Sequence, residues 1–242
     1  MLNISPKCLW GTFAWGPRRE TLASLGSRAY INLKLLAKEH AALRRWRNSL
    51  NDRPLAIDQH ALSSALSKGR IKYDDNDAII EELGYSLDLN TEIVSASYLE
   101  LHFSVGVWTR SVENTCVFEM ITSQDRKALC ASRQLLEGMC GAIVKAWSPS
   151  FGYVTTHELY NKIKQPPISL PQAGWFTFLS NEYTAQVRGR IPAQIVEIKG
   201  IGLLLITCES FSELNSSVGV RALQRLATWI SKTLTITNGP SA

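Results

Sequence analysis

The residues whose types could do chemistry in this chain are five cysteines, four histidines and one dense run of carboxylates. A cysteine nucleophile needs an acidified thiol and a base within hydrogen-bond reach. Cys116, Cys130, Cys140 and Cys208 could in principle pair with His102 or His157, but no spacing joins any of them. Most of the cysteines, Cys8 included, sit in apolar runs, where a thiol serves as a small buried hydrophobe. Their number is odd and no pair has CxxC spacing, so we expect reduced thiols and a cytoplasmic setting. His40 and His60 have no Cys, His or acid at ligand spacing. The run YDDNDAIIEELGY (73–85) fails as a calcium loop: counted from Asp75, the third ligand position is Ile79 and the sixth residue is Ile80 rather than glycine. GxGxxG, GxxxxGK[ST], HExxH and GxSxG are all missing. The expectation is a protein with no catalytic residues, no metal and no cofactor.

What stands out instead is the distribution of charge. The net charge of +5 conceals a strongly basic start and an acidic middle. Residues 1–53 hold ten Lys/Arg against three Asp/Glu, and residues 54–100 hold three against nine. No base occurs between Lys72 and Arg110, where Asp74, Asp75, Asp77, Glu81, Glu82, Asp88, Glu92 and Glu100 lie. Either this segment faces a basic partner, or Arg44, Arg45 and Arg47 fold over it. Asp74, Asp75, Asp77, Glu81, Glu82 and Asp88 are the candidate partner-binding residues. The pI of about 9.0 raises a second reading, a basic nucleic-acid-associated domain with Arg28, Lys34, Lys38, Arg44, Arg45 and Arg47 as a helical stripe. The acidic middle argues against a polyanion running over that region, so no nucleic-acid partner is expected.

These residues must be positioned by an α+β framework. Cys8–Trp15 reads as a strand closed by Gly16-Pro17. Leu22, Leu25, Ala29, Leu33 and Leu36 recur at helical spacing. A second helical piece carries Leu43 and Trp46, and Asn51–Pro54 breaks it. Asp58 caps a helix through Leu62 and Leu66 that ends near Gly69. A short helix is expected from Asp74 or Asp75 to Leu83. Ser97–Val105 and Thr115–Thr122 alternate as half-buried strands. Residues 125–147 form a helix stopped by Pro149. Phe151–Thr155 and Trp175–Leu179 read as strands, His157–Lys164 as a short helix, and the three prolines within Lys164–Gln172 as an extended loop. Ala193–Ile198 and Ile201–Cys208 flank a two-residue turn at Lys199-Gly200. A final helix runs over Val218–Leu234. We expect one α+β domain over 1–242, with a mainly antiparallel β-sheet and helices packed against it. Its only candidate boundary lies near 164–172, and its tail frays at 235–242. No apolar run approaches the ~20 residues that cross a bilayer, and the start has no pattern of a secretory signal, so no membrane partner is expected.

Several stretches, in this order, resemble one family. They are FAWGPRRETLASLGSRAYINLKLLAKEHAALRRW (13–46), LAIDQHALSSALSKG (55–69), YDDNDAIIEELGYSLDLNT (73–91), KAWSPSFGYVTTHELY (145–160), AGWFTFLS (173–180) and GIGLLLITCESFSELN (200–215). The chain is identified on them as similar to the immunity protein 52 family of bacterial polymorphic toxin systems, in particular to immunity proteins of type VI secretion. None of these stretches is a catalytic signature. The resemblance implies a cytoplasmic inhibitor that binds and neutralises a cognate secreted nuclease toxin, of restriction-endonuclease fold, encoded beside it. A nuclease draws DNA with a basic surface, which an acidic patch would meet. The net positive charge departs from whole-molecule DNA mimicry: either the mimicry is local, in the 73–109 gap, or inhibition works at a site other than the DNA groove.

Overall fold

The computed structural model describes residues 9–73, 75, 77–91, 97–122, 132–167 and 170–234. The first strand, β1 (Leu9–Trp15), leads into helix α1 (Leu22–Glu39), whose capping Thr21 hydroxyl accepts from the Ser24 N–H. Leu25, Ala29, Leu33 and Leu36 are buried as the spacing predicts. A 3₁₀ turn (Ala41–Arg44) follows, and then the edge hairpin of β2 (Trp46–Asn48) and β3 (Arg53–Leu55). Trp46 therefore lies in a strand rather than a helix. Its indole N–H donates to the Leu43 carbonyl, and it pairs with Leu55 and Thr91. Helix α2 (Gln59–Lys68) begins on Asp58, whose carboxylate accepts from the Ala61 N–H at 2.8 Å.

The helix expected from Asp74 or Asp75 to Leu83 does not form among the described residues. The chain instead turns back as a small hairpin with Lys72 bridged to Ile79. Asp77 sits at φ 57°, the left-handed region that Asp tolerates and a helix cannot continue through. A 3₁₀ turn (Glu81–Leu83) and Gly84 at φ 68° then deliver β4 (Tyr85–Thr91). Only glycine fits there, because a Cβ would stand 2.3 Å from the Val105 carbonyl oxygen. The sequence reading had no strand at β4.

The middle of the chain holds β5 (Ser97–Val105), β6 (Asn114–Thr122) and α3 (Arg133–Trp147). The first part of the expected 125–147 helix, residues 125–131, lies outside the described residues. After α3 come β7 (Phe151–Thr156), α4 (His157–Lys162), β8 (Phe176–Ser180) and the short α5 (Asn181–Thr184). β7 and β8 pair with each other across the proline-rich loop. β9 (Gln194–Ile198) and β10 (Gly202–Ile206) are joined by three residues rather than two, with Ile198 facing Gly202 and Gly200 at φ 76°. The short α6 (Phe211–Leu214) and α7 (Ser217–Thr233) complete the described chain.

All ten strands join one antiparallel sheet in the order β3-β2-β4-β5-β6-β1-β7-β8-β10-β9, which makes the fold α+β. The sheet has two kinds of half. Along β4, β5 and β6 burial alternates, with Leu87, Leu89, Leu101, Phe103, Cys116 and Phe118 turned inward. Along β7 and β8 it does not: Gly152 to Thr156 and Phe176 to Leu179 are buried without interruption, so both faces of that half are covered.

The core centres on Trp147, at the C-terminal end of α3. Its ring stacks on Trp15 with centroids 5.5 Å apart and meets Phe103 at 5.2 Å. Its indole N–H donates to the buried Asn32 side chain of α1. Across β1 the packing uses glycine against aromatic rings. Phe118 lies over Gly11 and Phe13 over Gly152, each directly opposite in register. A Cβ on Gly152 would stand 2.2 Å from the Phe13 ring. Gly152→Ala should therefore destabilise by about 1–3 kcal/mol through overpacking. Gly141→Ala, in the interior of α3 with open space around the position, should stabilise by about 0.5–1 kcal/mol. Urea unfolding of both variants checks the opposite signs.

Cys116, Cys140 and Cys208 are free and buried; Cys8 and Cys130 lie outside the described residues. Burial pushes all three thiols up from their ordinary range, away from the reactive thiolate. A thiol reagent at pH 8 should therefore leave these three unmodified in the native protein. Titration in denaturant, on protein purified without oxidant, should find all five cysteines as free thiols.

Candidate interaction surface

The described members of the acidic segment occupy two neighbouring places. Asp75 and Asp77 are exposed on the hairpin that precedes β4, and Glu81 and Glu82 are exposed on the 3₁₀ turn after it. Asp74 lies outside the described residues. Asp88 is further along, half-exposed on β4, where its carboxylate meets His102 Nδ1 of β5 at 2.5 Å. Among the described residues, the only other ion pair of this group is Lys72 Nζ to Asp77 at 3.5 Å, between exposed side chains. Such an exposed pair contributes little, about 0–1 kcal/mol. Asp75, Glu81 and Glu82 carry no ion pair among the described residues.

Of the arginines proposed to cover this segment, Arg44 and Arg47 have contacts elsewhere among the described residues. Arg47 donates to the Asp52 carbonyl at 2.9 Å and meets its carboxylate at 3.2 Å. Arg44 donates to the Ala37 carbonyl. Two further bases of the supposed helical stripe are also engaged. Arg28 is bound to Glu20 at 2.6 Å and to the Ala146 carbonyl at 2.8 Å, and Lys34 lies over the Tyr30 ring.

A polar sheet face adjoins the acidic segment, and the sequence reading reached only part of it. Asp88, Asn90, Glu100, His102, Thr115 and Glu119 alternate outward from β4, β5 and β6, all half-exposed. Register sets Arg47 opposite Asn90, Asn90 opposite Glu100, Glu100 opposite Glu119, and Glu119 opposite Trp10. Two carboxylates facing each other across strands cost stability unless a cation lies near them. Trp10 ends this row, with His157 stacked on it at 5.2 Å and Tyr153 and Tyr160 against its edges. His102 and Glu100 were legible from their alternation; Glu119 and Trp10 join them only through strand order.

This geometry separates the residues a cysteine site would need. His102 lies on the open face, while Cys116 of the adjacent strand lies on the buried one. His157 is engaged with Trp10. Among the described residues, no group of three or more His, Cys, Asp or Glu is placed to hold a metal ion. A groove of about 880 Å³ runs between α1, α3 and the β9–β10 hairpin. Glu39, Glu137, Glu197, Lys145 and Lys199 line it, with Arg133 bound to Glu209 and Gln194 at its end. It contains neither histidine nor cysteine.

No helix among the described residues is long and apolar enough to cross a membrane. No curated protein matches the chain significantly in sequence. A solved structure, the Pseudomonas aeruginosa T6SS protein PA0821, shares the fold at a TM-score of 0.52 and 11% identity, over 93% of this chain and 82% of that one. The family model of immunity protein 52 matches residues 9–235. With that match spanning nearly the whole described chain, from β1 through α7, the protein belongs to the immunity protein 52 family.

Proposed function

We propose that this immunity protein acts by binding, in the cytoplasm and without turnover, and that its target is a secreted nuclease toxin of a type VI system. Family membership gives the immunity role. The type VI context is carried over from the structurally similar PA0821, whose own description names that system. The observation that carries the nuclease reading is the exposed carboxylate group Asp75, Glu81 and Glu82, which has no ion pair among the described residues. A nuclease presents a cationic surface to DNA, and these carboxylates, with Asp77 and Asp88 beside them, complement it in sign. The contact is local, so the net positive charge of the inhibitor does not oppose it. Free, buried thiols agree with a reducing compartment.

The test is a plasmid-cleavage assay with the toxin encoded beside this gene, with and without the inhibitor, paired with association kinetics. The inhibitor should abolish cleavage. Replacing Asp75, Glu81 and Glu82 together by alanine should leave the melting temperature nearly unchanged, because exposed, unpaired charges add little to folding. It should slow association about 10-fold at low salt and far less at 0.5 M salt, where screening shortens the reach of charge. A toxin that is not a nuclease, or an association rate indifferent to the triple change, would defeat this reading.

A further inference from the structure

Trp108 stands 40% exposed in the loop between β5 and β6, at the same end of the sheet as Glu81 and Glu82. Its backbone is fixed with unusual thoroughness for a loop. The Trp108 N–H donates to the Glu82 carbonyl at 3.0 Å. The preceding Val107 N–H donates to the side chain of Asn114, whose own amide donates back to the Val107 carbonyl and to the Gly16 carbonyl, each at 2.9 Å. The Arg18 N–H donates to the same Val107 carbonyl at 2.8 Å. Asn114 is fully buried.

None of these bonds uses the indole. Every one would survive any side chain at position 108, so the fold does not require a tryptophan there. The only ring contact described is the Arg19 guanidinium, 5.2 Å from the ring centroid. A large aromatic ring left two-fifths exposed (40%) on a fixed backbone matches the pattern of interface anchors. Tryptophan is enriched among residues that dominate binding energy, and a pre-organised one loses little conformational entropy on docking. Val112, in the same loop, and Ile79, just before the Glu81 turn, are also exposed, at 42% and 43%. Glu81 and Glu82 supply an acidic rim.

We infer that Trp108 is the apolar anchor of the toxin interface, inserting into an apolar pocket that lysine or arginine side chains border on the Glu81–Glu82 side. This rests on the proposed toxin-binding role and names where, and by what chemistry, the partner is held. The carboxylates govern how fast the partner arrives, and the ring governs how slowly it leaves.

Calorimetric and kinetic titrations against a catalytically silenced form of the neighbouring toxin test the inference. Trp108→Ala should weaken binding about 30-fold or more, chiefly through faster dissociation, with an unchanged melting temperature. Trp108→Phe should recover much of the loss. Trp108→Lys, which sets a like charge against the basic border, should bind more weakly than Trp108→Ala. Ile195→Ala, on the exposed edge strand β9, is the control and should bind as the unaltered protein does. Binding of Trp108→Ala and Trp108→Lys within about twofold of the unaltered protein would overturn the anchor while leaving the toxin-binding role standing. Failure of the unaltered protein to bind the toxin would overturn both.

Discussion

The C-terminal turn of α3 is the point on which the other elements are assembled. A helix ends with carbonyls that have no partner within the helix, and here two arginines of the basic start take them. Arg18 donates to the carbonyls of Trp147 and Ser148, and Arg28 to that of Ala146, while Glu20 meets both guanidinium groups. Positive charge at a helix C-terminus is favourable in itself. The residue clamped at this point is Trp147, whose ring stands against Trp15 of the central strand and Phe103 of β5, and whose indole reaches Asn32 in α1. One helix end thus fixes the angle of α3 to the sheet, the seating of α1, and the exit of β1 into the Gly16–Glu20 segment.

That exit leads directly to the proposed binding end. Arg18 clamps α3 with its side chain and the Val107 loop with its backbone N–H. Arg19, the next residue, lies over Trp108. Core and surface are therefore mechanically continuous: Trp147 to Arg18, Arg18 to Val107, Val107 to Trp108, Trp108 to Glu82. A rigid scaffold beneath an exposed aromatic side chain lowers the ordering cost of binding.

How much of this was legible in the sequence depended on whether the signal was local. Apolar periodicity marked α1, α2, α3 and α7, and strict alternation marked β5 and β6, because each pattern is complete within its own segment. Trp46 was misread because a lone tryptophan after a helical stretch carries no period, and only its pairing with Thr91 and Leu55 makes it a strand residue. The 73–83 segment was misread because acids before an apolar pair suit a helix N-terminus; the left-handed turn at Asp77 and the bridge from Lys72 to Ile79 outweighed that preference. β4 was missed because its apolar residues, Leu87 and Leu89, are too few to show alternation alone. For the candidate site, the acidic residues were visible as composition and Asp88 was among them. The open face was not, since the approach of Glu119 to Glu100 follows from strand order. Trp108 was visible as a residue but not as an exposed one, because exposure of an aromatic side chain leaves no trace in spacing.

The charge asymmetry takes on a physical meaning once the partners are known. The basic start looked like a surface for polyanions, yet Arg18, Arg28, Arg44 and Arg47 spend their donors on carbonyls and carboxylates of the same chain. Each such arginine does structural work at a helix end or a hairpin, and the outward field of Arg18, Arg28 and Arg47 is partly cancelled by Glu20 or Asp52. The acidic segment is the reverse case. Asp88 apart, its described carboxylates contribute little to the fold, since Glu81 and Glu82 stand in solvent and Asp77 meets, among the described residues, an exposed lysine. At physiological ionic strength fields decay over about 8 Å, so a partner approaching this end responds to the nearby carboxylates and hardly at all to the remote net charge. A protein that is basic overall can thus present exposed carboxylates at one end, with Arg19 beside them over Trp108, and the acids unneeded for folding are the ones left free for the proposed contact.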